Sequence, residues 1–165
     1  MYESDYLEGR EDILERLQKL PFLESIGTSH LMDMLHLSKL RTYKANEPII
    51  SEGVYDSYLY IIVYGEVKII KGGNEITRFS EPGDTFGELA IIDGNTRSAT
   101  VTASITTMCL ASDVSFIDRV PEDERYKCYS VFYRLIAEIL AQRLRETNAE
   151  VCNLKDELIE LKKSA

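Results

Sequence analysis

The sequence is poor in the residues that build cross-linked or metal-held scaffolds. Its three cysteines, Cys109, Cys128 and Cys152, are odd in number and far apart, and no CxxC pair occurs. Neither a disulfide framework nor a zinc site is indicated, and isolated thiols of this kind fit a cytoplasmic chain. Only two histidines are present, His30 and His36. At that separation they fall on different faces of a helix, so metal spacing fails and no nucleophile stands beside them. Walker A and GxGxxG patterns are missing. An enzyme is therefore not expected, and neither is a metal or a resident cofactor. The longest purely apolar run, Leu59 to Tyr64, is too short to span a bilayer. Met1 to Arg10 is acidic and lacks the basic and apolar blocks of a signal peptide. Basic charge is scarce as well: 19 Lys and Arg face 28 Asp and Glu in 165 residues, a net charge of −9. Such a balance argues against a nucleic-acid surface and against docking to anionic membranes.

What is present is an ordinary globular composition, 44% apolar and 28% charged. The acidity is uneven: residues 1–121 hold 11 basic and 19 acidic side chains, and residues 122–165 hold 8 and 9. Three zones follow. Residues 1–40 are read as N-terminal helices, from Ile13, Leu14, Leu17 and Leu20 at helical spacing, a stop at Pro21, and Thr28 or Ser29 as a second cap. Residues 41–112 carry short β-rich runs separated by turn signals, among them Glu52-Gly53, Gly72-Gly73 and Pro82-Gly83-Asp84. This spacing predicts a sandwich or barrel, with a hairpin at Gly72-Gly73. Residues 113–165 return to helix, with Ser112 or Asp113 as a cap and no glycine or proline after Pro121.

The long helix has a heptad seam. Ala137, Leu144, Val151 and Leu158 fall at a; Leu140, Thr147, Leu154 and Leu161 fall at d. In a parallel pair, Glu150 would face Lys155 and Glu157 would face Lys162 of the other copy. A parallel homodimer is expected, with the first half of the helix, around Phe132, Leu135, Ile136 and Ile139, packed on its own domain.

The most specific stretch is residues 86–101, Phe86-Gly87-Glu88-Leu89-Ala90-Ile91-Ile92-Asp93-Gly94-Asn95-Thr96-Arg97-Ser98-Ala99-Thr100-Val101. It reads as a strand end, a glycine, one helical turn, a loop, an arginine and then small residues entering a strand. Gly87 permits close backbone approach. Arg97 supplies a fixed charge and a fork matched to phosphate oxygens, and Ser98 adds a hydroxyl. A carboxylate beside a phosphate pocket needs another task, and accepting a hydrogen bond from a sugar hydroxyl is one. Glu88 and Arg97 together describe a ribose that bears a phosphate.

This stretch resembles the phosphate-binding cassette of the cyclic-nucleotide-binding domain family. Glu52-Gly53, Leu59-Tyr60-Ile61-Ile62 with Gly65-Glu66-Val67, and Pro82-Gly83-Asp84 are similar to the family's turn glycines in order and spacing. The resemblance implies a mainly β fold with flanking helices: a jelly-roll-like β-roll followed by a long C-terminal helix. It implies a ligand shell of Phe86, Gly87, Glu88, Leu89, Ala90, Arg97, Ser98 and Ala99, with Glu88 on the ribose 2′-hydroxyl and Arg97 on the cyclic phosphate. The long helix resembles the dimer helix of one member, the bacterial catabolite activator protein, where a Thr-Ser pair reaches the adenine. Thr147-Asn148 stands in that place, with asparagine departing from the serine. The expected ligand is cAMP ahead of cGMP. Two alternatives stand beside this cytoplasmic sensor: a ligand-sensing fragment of a larger transcription regulator, or an adaptor whose cassette no longer binds. Only four residues follow Leu161, so no DNA-recognition helix is expected within these residues, and no motif indicates an output partner.

Overall fold

The computed structural model describes residues 1–6, 38–119 and 121–164. Residues 7–37, with the expected N-terminal helices and both histidines, lie outside the described residues. Two antiparallel sheets are built from β1 (Tyr2–Tyr6), β2 (Ser38–Tyr43), β3 (Pro48–Ile50), β4 (Tyr58–Tyr64), β5 (Val67–Lys71), β6 (Asn74–Phe79), β7 (Thr85–Phe86), β8 (Thr100–Ala103) and β9 (Thr107–Asp113). One sheet has the order β1-β2-β9-β4-β7 and the other β3-β8-β5-β6. Two helices complete the described residues, the short α1 (Glu88–Asp93) and the long α2 (Glu122–Ser164), with a 3-10 turn over Val114–Arg119.

The core lies between the sheets. β2, β4 and β9 contribute Tyr43, Tyr60, Ile62, Cys109 and Ala111; β3, β5 and β8 answer with Ile50, Val67, Ile69, Val101 and Ala103; and Phe86 comes from β7. In β5 and β8 every second residue points inward, as a strand with one solvated face requires. β4 differs: Leu59, Tyr60, Ile61 and Ile62 are all buried, because both faces of this strand are covered. A strand covered on both sides reads as a continuous apolar run, which is why the longest such run in the sequence is β4. Polar groups follow the same logic. The buried hydroxyls of Ser38 and Ser112 satisfy each other across β2 and β9 at 2.6 Å.

The Gly72-Gly73 hairpin is present. Lys71 pairs with Asn74, and both glycines have positive φ, the backbone a two-residue turn needs. Two boundaries move. Tyr2–Tyr6 is a strand, not part of a helical zone, and β2 begins at Ser38, so the β region starts ahead of residue 41. The physical reason is pairing: β1 and β2 form a ladder with Tyr2 opposite Thr42 and Glu3 opposite Arg41. Asp113 caps the 3-10 turn, its Oδ1 accepting from the Ser115 amide at 3.0 Å and hydroxyl at 2.7 Å.

The chain divides into two compact units, Met1–Val131 and Phe132–Ala165. Within α2, 43 residues long, Leu144, Val151, Leu154, Leu158 and Leu161 are exposed. At 1.5 Å per residue the helix spans about 65 Å. Among the described residues no helix is long and apolar enough to cross a membrane.

Candidate ligand-binding site

Strand β7 ends at Phe86, and Gly87 turns the chain into α1 with φ of 89°. Phe86 is buried and stacks on Tyr60, ring centroids 5.2 Å apart and planes 7° from parallel. This fixes the entry of α1 against β4. Glu88 and Ala90 are buried in the helix, whereas Leu89 is exposed.

Arg97 returns from the loop after α1. Its backbone is zipped to the segment before β4: the Arg97 amide donates to the Val54 carbonyl at 2.8 Å, and Gly53 donates to the Arg97 carbonyl at 2.9 Å. Arg97 is 3% exposed, and its guanidinium meets acceptors on three sides. Nε donates to Asp56 Oδ2 at 3.0 Å, and Nη2 donates to Asp56 Oδ1. Nη2 also donates to the Tyr58 carbonyl at 2.6 Å, and Nη1 donates to the Gly87 carbonyl at 2.5 Å. A cation this deeply buried requires such partners, because desolvation otherwise costs several kcal/mol or more. Asp56 Oδ1 also accepts from the Tyr58 amide at 2.9 Å, so one carboxylate sets both the start of β4 and the arginine.

Gly87 has no room for a side chain. A Cβ there would lie 2.7 Å from Arg97 Nη1, 3.1 Å from the Tyr58 carbonyl oxygen and 3.3 Å from Ile50 Cδ1. The fold thus brings Gly87, Glu88 and Arg97 to one place, with the guanidinium held at the first turn of α1. Ser98 is exposed at the next position, and Ala99 packs against the core. Thr147 and Asn148 are exposed on α2, in the second compact unit. Burial pushes the phenols of Tyr43 and Tyr60, on the neighbouring strands, up from their ordinary values, so both stay neutral.

Asp56 and Tyr58 lie outside the sequence motif of residues 86–101. An acid two residues ahead of a strand is a recognisable cap, and that signal was available at Asp56. Its ion pair with a residue 41 positions later has no local trace.

The family model for the cyclic nucleotide-binding domain matches residues 40–122. A cGMP-dependent protein kinase of Toxoplasma gondii is 34% identical over 104 residues, 63% of this chain and 10% of the kinase. A cAMP-dependent protein kinase regulatory subunit of Eremothecium gossypii is 33% identical over 88 residues, 53% of this chain and 19% of the subunit. The chain therefore spans a fifth or less of the length of these two relatives. Among solved structures, a cyclic nucleotide-binding domain from Methylobacillus flagellatus superposes with a TM-score of 0.74 at 22% identity, covering 92% of this chain and 88% of that one. That likeness speaks to the fold, a β-roll with a long C-terminal helix. With its matched region running from within β2 to the first residue of α2 and taking in the whole segment from Gly87 to Arg97, this chain belongs to the cyclic nucleotide-binding domain family.

Proposed function

We propose that the chain is a cytoplasmic sensor that binds a cyclic nucleotide, cAMP ahead of cGMP, and passes the event to α2. The observation that carries this reading is the buried Arg97 guanidinium held against the Gly87 carbonyl at 2.5 Å, with the Glu88 carboxyl next in sequence and also buried. A cation fixed at that point suits a cyclic phosphate, which would share the guanidinium with Asp56. Glu88 would accept from the ribose 2′-hydroxyl. Ser98 and Ala99, with the amides around Gly87, Leu89 and Ala90, would complete the shell, and Phe86 would hold its floor through the stack on Tyr60.

The output follows from competition. A phosphate that draws on Arg97 weakens its hold on Asp56, and Asp56 also fixes the start of β4. A ligand shifts such an equilibrium only by its difference in affinity between the two states. The exposed apolar seam of α2 supports a parallel homodimer in which Thr147 and Asn148 meet the base.

Calorimetric titration of the wild-type chain and Arg97→Ala with cAMP and with cGMP tests the reading. Binding by the wild type, tighter for cAMP, and its loss in the variant are expected. No binding of either nucleotide by the wild type would leave the adaptor reading in its place. Sedimentation at tens of micromolar tests the dimer, with Leu154→Asp expected to give monomers; a monomeric wild type would end the proposal. The relatives' partial coverage keeps the ligand-sensing part of a larger regulator as the second reading.

A further inference from the structure

A second charged cluster lies beside the Arg97 site and is tied to it twice. Glu3 of β1 bridges two cations of β2: Oε1 accepts from Lys39 Nζ at 2.7 Å and Oε2 from Arg41 Nε at 2.6 Å. The Leu40 amide donates to Ser4 Oγ at 3.0 Å between them. Arg41 then reaches across the sheet to β4. Its guanidinium carbon sits 4.0 Å from the centroid of the Tyr58 ring, and Nη1 donates to the Tyr60 hydroxyl at 3.1 Å. The arginine side chain is 12% exposed, so these contacts are made largely out of water.

Each of the two tyrosines leads to one of the carbonyls that hold Arg97. Tyr58 supplies its own carbonyl to Nη2, and its amide is held by Asp56. The Tyr60 ring stacks on Phe86, and the next residue, Gly87, supplies the carbonyl to Nη1. A shift of Arg41 would therefore reach both acceptors. Packed rings and hydrogen-bonded carbonyls transmit such a shift because close-packed interiors do not absorb it.

We propose that Arg41, anchored by Glu3, is a positioning residue for the Arg97 site, so that docking of β1 on β2 and binding of a cyclic phosphate favour each other. The ligand half of this statement rests on the function proposed above; the structural half, that Glu3 sets the placement of Arg97, does not. Linkage requires the coupling to be reciprocal, with bound ligand tightening β1 by the same factor by which docked β1 tightens ligand.

The test uses the full chain and the Glu3→Gln and Arg41→Met variants. Without ligand, the NMR signal of the Arg97 Nε–H, which donates to Asp56, reports the site directly. Faster solvent exchange of that proton in Glu3→Gln, with the amides of β5 and β6 unchanged, is expected; Glu3→Asp should restore part of the protection. An unchanged Arg97 signal in Glu3→Gln overturns the proposal, even if the variant melts earlier, because lost strand docking alone would lower stability without touching Arg97. With cAMP as the probe, Glu3→Gln should bind about five-fold more weakly, and cAMP should slow amide exchange in β1 of the wild type but not of Arg41→Met. Equal affinity of wild type and Glu3→Gln, or no slowing in a wild type that binds cAMP, overturns it. A wild type that binds no nucleotide ends the proposed function instead, and the ligand-free Arg97 signal still decides this inference.

Discussion

Replacing Gly87 by alanine isolates close packing from backbone strain, because Gly94 supplies a matched control. Both glycines have positive φ, 89° and 65°. A side chain forced into left-handed backbone costs about 1–2 kcal/mol, and both variants carry that cost. The surroundings differ. A Cβ at Gly94 would meet nothing within 4 Å, whereas one at Gly87 would meet Arg97 Nη1 at 2.7 Å. The guanidinium cannot swing aside cheaply, since Asp56 and the Tyr58 carbonyl hold it from other directions. To reach an ordinary contact of 3.4 Å it must retreat by about 0.7 Å, which lengthens its hydrogen bond to Gly87. Overpacking of this kind adds about 1–3 kcal/mol. Gly94→Ala should therefore cost about 1–2 kcal/mol and Gly87→Ala about 2–5 kcal/mol. Urea unfolding followed by circular dichroism reads both, and titration with cAMP reads the site. Gly94→Ala should keep the wild-type affinity and Gly87→Ala should lose most of it. Equal destabilisation of the two variants, or wild-type affinity in Gly87→Ala, would refute the close-packing reasoning.

Asp56→Asn removes the charge opposite a buried guanidinium while both carbonyl partners remain; a loss of about 1.5–3 kcal/mol is expected in urea unfolding, and a loss near zero would detach Asp56 from Arg97. The Glu3 carboxyl is held below the usual range, chiefly by the hydrogen bond from Lys39 and also by Arg41. Its contribution is present above the ordinary glutamate value of about 4.3 and disappears as pH falls through the lower, folded value. The β1 resonances should accordingly stay in their docked positions at about pH 5 and shift only in more acidic solution; undocking above the ordinary value would be inconsistent with the ion pair. Burial pushes the Cys109 thiol up to about 12, while Cys152 is exposed. Iodoacetamide at mildly alkaline pH should modify Cys152 and spare Cys109 until denaturant is added, as peptide mass spectrometry would show; early modification of Cys109 would place it outside the core.

Local signals carried much of the fold. β4 is readable because Leu59 to Tyr64 is one apolar run, and the β5–β6 turn because two glycines stand between two strands. The end of β7, the short helix and Arg97 were readable as a motif because their roles depend on residue type in a short stretch. What escaped was non-local. Tyr2–Tyr6 has no apolar alternation, and its strand exists because Glu3 finds Lys39 and Arg41 more than thirty residues away. Ser38–Tyr43 straddles the boundary that local pattern places at residue 41 between the helical and β-rich zones, and its ladder with β9, made far along the chain, decides it as strand. At the site, glycine and arginine were visible from their types, but the pairing of Asp56 with Arg97 is made only when the two loops close on each other.

The place of β1 in the sheet also bears on how the protein behaves in concentrated solution. Among the described residues it is one of the two edge strands of its sheet, and it covers the polar edge that β2 would otherwise offer to another chain. β1 is itself a poor template: it is five residues long and carries Glu3 and Asp5. Short, charged outer strands discourage sheet-to-sheet growth. A substitution that frees β1 would thus have a second effect beyond the site, exposing Ser38–Tyr43 to edge pairing. Light scattering from concentrated Glu3→Gln should rise with time at temperatures well below its unfolding midpoint, so loss of material would come from polymerisation of folded molecules.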